Sequence, residues 1–133
     1  MDRRVINPDT LAPGFGYSQV VTVSGGRTVY IAGQVAFDEN GTLIGRGDFE
    51  AQSRQAFSNL ERALAAAGAT PAAIVKLGIF VVDHDMIRLG VVRDIRDEIL
   101  GFDEHPPAST LLGVQALALP DLLVEVDAIA VVE

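Results

Sequence analysis

The chain has 133 residues, 49% of them apolar, and carries ten Lys and Arg against eighteen Asp and Glu, a formal net charge of −8. That balance argues against a protein whose affinity comes from cationic contacts to nucleic-acid phosphates. The absence of cysteine removes disulfides, thiolate catalysis and Cys-ligated metal, and it fits a reducing, cytoplasmic setting.

The length corresponds to one domain, residues 1–133. Met1–Thr10 lacks the run of about seven apolar residues that a signal peptide carries. No segment reaches the roughly 18 uninterrupted apolar residues of a membrane span. A partner in a membrane or nucleic acid is therefore not expected.

In chain order, Tyr17–Val23 alternates loosely, and Ser24-Gly25-Gly26 marks a tight turn before "RTVYIAGQVAF", which together predict a first hairpin. Asn40-Gly41 marks a second turn, leading into "TLIGRGD". Asp48 is placed to cap a helix that runs to about Ala67 and stops at Gly68, with Phe57, Leu60, Leu64 and Ala67 forming one apolar stripe. "IVKLGIFVV" (Ile74–Val82) reads as a strand rich in β-branched residues. Asp83 or Asp85 can cap a second helix ending at Gly101, with Met86, Leu89, Val92, Ile95 and Ile99 as its stripe. Two strands follow, about Ser109–Leu117 and Leu122–Val132.

The pattern predicts an α+β fold, a mixed sheet with two helices on one face. In the last strand Leu122, Val124, Val126, Ala128, Ala130 and Val132 are uniformly apolar and suit the helix-covered side. The opposite set, Leu123, Glu125, Asp127, Ile129 and Val131, is mixed rather than polar. No helix remains to cover that second face, which predicts self-association of identical chains.

Few residues offer chemistry. Glu125 lies on the second face, where a partly dry, subunit-lined pocket would favour its protonated form and let it move protons near neutral pH; the alternative is an interface acid paired with a neighbour's arginine. Ser109 and Thr110 open the strand after "PP" and can hydrogen-bond a ligand, or simply the backbone. His105 is the histidine nearest to Ser109 in the chain, but no ordered acid stands beside it, which disfavours a nucleophilic triad. Gly33, after Ala32 at a strand end, marks either close backbone approach of a ligand or a bulge. Tyr17 follows the loop "PGFG". Asp83, His84 and Asp85 are consecutive and do not converge as metal ligands do.

The segments "GFGYSQVV", "VYIAGQVAFDENG", "QSRQAFSNLERALAAAGATPAAIVKLGIFVVDHD", "PPAST" and "LPDLLVEVDAIAVV" resemble, in order, the landmarks of the RidA/YjgF family of reactive enamine/imine deaminases. The resemblance implies a chorismate-mutase-like homotrimer that hydrolyses small imino acids in clefts between subunits, with no metal or organic cofactor. It places Tyr17 and the backbone at Gly33 in the pocket, with Glu125 at the glutamate that positions water. It also implies an arginine at the start of the penultimate strand to hold the substrate carboxylate, and here Ser109 stands in its place. A hydroxyl cannot form the bidentate clamp of a guanidinium. "RDIRDEIL" replaces the aromatic residues that such proteins carry at the end of the second helix.

Two consequences remain open. Subgroups without the arginine include deaminases of 2-aminomuconate-type acids, for which Arg93, Arg96 or Arg46 are candidate anchors. A trimer that binds a small metabolite without turning it over is the alternative, and a ribonuclease-like role fits the acidic charge least.

Overall fold

A computed structural model describes residues 1–133. Three strands, β1 (Asp2–Ile6), β2 (Val20–Ser24) and β3 (Arg27–Gln34), precede helix α1 (Phe49–Ala66). Strand β4 (Ile74–Val82), helix α2 (Met86–Leu100), β5 (Ala108–Val114) and β6 (Val124–Val132) complete the chain. The main sheet has the order β3-β6-β4-β5, and β1 and β2 form a separate two-stranded ladder. Strand β4 runs parallel to β5 and antiparallel to β6. A parallel neighbour demands a crossover connection, which α2 supplies.

Both helices start where a side-chain acceptor meets free backbone donors. Asp48 accepts from the Ala51 N–H at 3.0 Å and Asp85 from the Arg88 N–H at 2.8 Å. They stop at Gly68 and Gly101, whose φ values of 75° and 56° lie in the left-handed region that glycine tolerates best.

The helices cover one side of the main sheet. Phe57, Leu60 and Leu64 of α1 and Val92 and Ile95 of α2 pack with Leu77, Ile79 and Val81 of β4 and Val124, Val126, Ala128 and Ala130 of β6. The even-numbered residues of β6 thus face the core, as alternation predicts.

Two expectations need correction. The glycines at 25 and 26 do turn the chain, with φ of 77° and 82°, but β2 and β3 do not form a hairpin: β2 pairs with β1 and β3 with β6. Strand β1 gave no sequence signal because it contributes nothing to the core, and its residues alternate only between exposed and half-buried. The turn expected at Asn40-Gly41 is present, held by Asp38, which accepts from the Asn40 and Thr42 N–H groups, and its flanks make the isolated bridge Phe37–Leu43. On α2 the buried set is Val92, Ile95, Arg96 and Leu100. Met86, predicted to lie on the stripe, is 77% exposed, because the first turn of α2 directs Arg88 onto the Phe49 ring and Leu89 toward the sheet and leaves Met86 on the solvent side.

Candidate functional site

The Tyr17 side is set by two contacts between the start of β2 and the start of β5. The Ser18 N–H donates to the Pro107 carbonyl at 2.9 Å, and the Ser18 hydroxyl donates to that of Pro106. Ser18 also bridges Ala108 in parallel fashion. Tyr17 therefore lies against Ser109. Ser109 pairs with buried Leu77 in the β4–β5 register, so its side chain points to the helix side. Phe15, Tyr17, Leu89, Arg93, Arg96 and Ser109 line a pocket of about 160 Å3 there, floored by apolar side chains.

Thr110, the next residue, points the other way. It pairs with Gly78 and accepts a hydrogen bond from the Lys76 ammonium at 2.7 Å on the open face. Two adjacent hydroxyls that look like a pair in sequence are separated by the pleat.

Glu125 is also on the open face, opposite Phe80, with its neighbours Val124 and Val126 buried. Between Ile31 and Gln34 the β3–β6 register slips, so Ala32 and Gly33 oppose the single residue Asp127. Of the two readings of Gly33 the bulge is the one present, and what comes close to it within the chain is a side chain: a Cβ on Gly33 would come within 1.7 Å of Glu125 Oε2. Only a residue without a side chain leaves room for that carboxylate. The Ala32 carbonyl accepts from the Gln34 side-chain amide at 3.1 Å, and a groove of about 520 Å3 opens between the end of β3, the loop that follows it and α1.

A parallel arrangement escaped the sequence. A Cβ on Gly78 would lie 2.2 Å from Asp127 Oδ1, so a second carboxylate rests over a second strand glycine. The signal was the glycine inside the otherwise β-branched "IVKLGIFVV".

The predicted residues thus fall into two groups. Tyr17 and Ser109 share the helix-side pocket at the β5 edge; Ala32, Gly33 and Glu125 lie together at the β3 edge, and Thr110 stands apart on the open face. Sheet order separates β6 from β5 by two strand spacings, about 9–10 Å, and Ser109 and Glu125 occupy opposite faces. Of the candidate cations, Arg46 is ion-paired to Asp121 and exposed, Arg93 stands over the Phe15 ring at 5.8 Å, and Arg96 is only 7% exposed.

A larger cavity, about 690 Å3, is elsewhere, between β1 and the loop after α2. Arg3 reaches into it, but its guanidinium is committed to the backbone carbonyls of Ala72, Ile74 and His105. That arginine fastens β1 to the body of the protein. No helix is long and apolar enough to cross a membrane.

Against known proteins, residues 8–132 match the family model described as endoribonuclease L-PSP. Protein DfrA of Myxococcus xanthus is 34% identical over 98% of this chain and 97% of its own length. The 2-iminobutanoate/2-iminopropanoate deaminase of Mus musculus is 35% identical, covering 97% of this chain and 91% of that protein. The crystal structure of YyfB, a Rid-family protein from Yersinia pestis, superposes with a TM-score of 0.89 at 46% identity, covering 99% of this chain and all of that one. The α+β fold and a family match along nearly the whole chain agree: this protein belongs to the RidA/YjgF family.

Proposed function

We propose that the protein is a cofactor-free hydrolytic deaminase of a small reactive enamine or imine acid, working in clefts between the subunits of a chorismate-mutase-like homotrimer. The observation that carries this is the split of the site residues. Glu125 over Gly33 lies at one edge and on one face of the sheet, and Tyr17 with Ser109 at the opposite edge on the other face. Each group is half of a site, and two half-sites at opposite edges meet when one copy sets its β5 edge against the β3 edge of the next. Such a head-to-tail contact closes into a ring when its rotation allows. The open sheet face, with Tyr30 78% exposed and Leu112 also exposed, supplies apolar surface for that assembly.

Chemically, water adds to the carbon of the C=N bond, the C–N bond then breaks, and ammonia leaves a carbonyl behind. Glu125 takes the proton from the attacking water and gives it to the nitrogen, then carries the proton of the resulting hydroxyl to the same nitrogen as the C–N bond breaks. The deaminase name of the mouse relative supports deamination as the reaction. A ribonuclease activity is disfavoured by the net charge of −8. Binding without turnover is the second reading, favoured by the hydroxyl of Ser109 where a guanidinium would grip the substrate.

The test is ammonia release from 2-iminopropanoate generated in situ and from 2-aminomuconate, for the wild type and Glu125→Ala. The expected loss in the variant is about 100-fold or more. Equal rates would remove Glu125 from the mechanism, and a wild type inert on both substrates would leave the binding role.

A further inference from the structure

The pocket beside Ser109 has lost a cation from β5 but gains one from α2. The Arg96 guanidinium is 7% exposed and lines that pocket. Its Nε and Nη2 both lie 3.0 Å from one oxygen, Oδ1 of Asp97. A guanidinium has five N–H donors, and no hydrogen bond or ion pair engages Nη1. Its only counter-ion, the Asp97 side chain, is 65% exposed, so solvent weakens what it offers. Nη1 is not sealed from solvent, so its N–H donors are open to an acceptor that enters the pocket.

The chain is shaped to keep it there. Gly16 has φ of 79°, a conformation that favours glycine, and a Cβ on it would lie 2.4 Å from Arg96 Nη2, so the loop carrying Tyr17 lies directly against the guanidinium. Arg93, one helical turn earlier, adds a second positive charge and makes no ion pair. Ile79, Leu89, Val92 and Leu111 form the rest of the wall and lower the local dielectric, which strengthens attraction to an anion. The volume, about 160 Å3, is near that of a cavity known to take up one benzene ring, so it suits an acid of about six heavy atoms.

We infer that Arg96 is the carboxylate anchor of this protein, holding the acid group of a small 2-imino or 2-oxo acid between Tyr17 and Ser109, with Arg93 as the supporting charge. The guanidinium missing from β5 is replaced from α2, and the short Ser109 side chain leaves the space that the ligand's acid group occupies. The inference deepens the proposed function and rests on its assignment of this cleft, but its test needs no turnover.

Pyruvate and its neutral amide are titrated calorimetrically into the wild type, Arg96→Gln and Arg96→Ala. Arg96→Gln keeps the length and part of the hydrogen bonding of the side chain, so the measurement survives if the alanine variant fails to fold. Pyruvate should bind the wild type, and removing the charge should weaken it about 10- to 100-fold while the affinity of the amide stays the same. Adding Ser109→Arg to the Arg96→Gln protein should recover most of the lost pyruvate affinity, because the new guanidinium enters the same pocket. The inference is overturned if the wild type does not prefer pyruvate to the amide, if the variants weaken both ligands equally, or if Ser109→Arg recovers nothing. If Arg96-dependent pyruvate binding appears without ammonia release from any imine, the hydrolytic function falls and the anchor stands.

Discussion

The two faces of the main sheet use the same alternation of side chains for opposite ends. On the helix-covered face, β4 and β6 present Leu77, Ile79, Val81, Val124, Val126 and Ala128 to α1 and α2, and every one is buried. On the open face the same strands present Lys76, Gly78, Phe80, Glu125 and Asp127, and two of the carboxylates rest over glycines of neighbouring strands. One face is continuous and apolar and holds the chain together. The other is interrupted by acids and glycines, and it is where half of the proposed site stands. Burial by itself therefore marks structure, and the carboxylate-over-glycine pairs mark the face reserved for something else.

The contrast can be broken by substitutions on each side. Phe57→Ala, at the centre of the covered face and fully buried, should cost about 3–5 kcal/mol in urea unfolding through the cavity it leaves. A cost under 1 kcal/mol would mean that the core is not organised around α1. Tyr30→Glu, on the open face, should leave the far-ultraviolet circular dichroism intact, since an exposed substitution changes a chain's own stability by about 0.5 kcal/mol or less. In light scattering the same variant should fall from the mass of a trimer to the 14.1 kDa of one chain. A wild-type mass already at 14.1 kDa would remove the assembly and the intersubunit cleft together. Asp85→Ala sharpens the comparison at small scale. It removes the acceptor for the Arg88 N–H and should cost about 1 kcal/mol, a few degrees in a thermal melt. Because α2 carries Arg96, pyruvate affinity should weaken slightly too.

Much of the fold was legible because its signals are local. Asp48 and Gly68 bracket α1 within two residues of the observed ends, and "IVKLGIFVV" matches β4 residue for residue. Capping, glycine termination and β-branched runs are read from neighbours in the chain. What escaped depends on pairing at long range. The partner of β2 is the exposed strand Asp2–Ile6, which no apolar pattern announces. The two-residue bulge that brings Gly33 to Glu125 exists only because β3 and β6, nearly a hundred residues apart, are paired. Arg96 could be proposed as one of three cations, but nothing local distinguishes it from Arg93 or Arg46. Its burial follows from how α2 rotates on the sheet, which also turned Met86 out to solvent.

By itself, then, the amino-acid sequence determined the two helices with their caps, the central strand, the inward face of β6, the family, and the absence of a guanidinium at position 109. Each depends on residue identity and spacing within a few turns of chain. Only the tertiary structure decided that Ser109 and Thr110 point to opposite faces, that Glu125 lies where the side chain of residue 33 would be, and that a guanidinium from α2 stands beside Ser109. Those are matters of register and helix rotation, which the packing of distant segments decides.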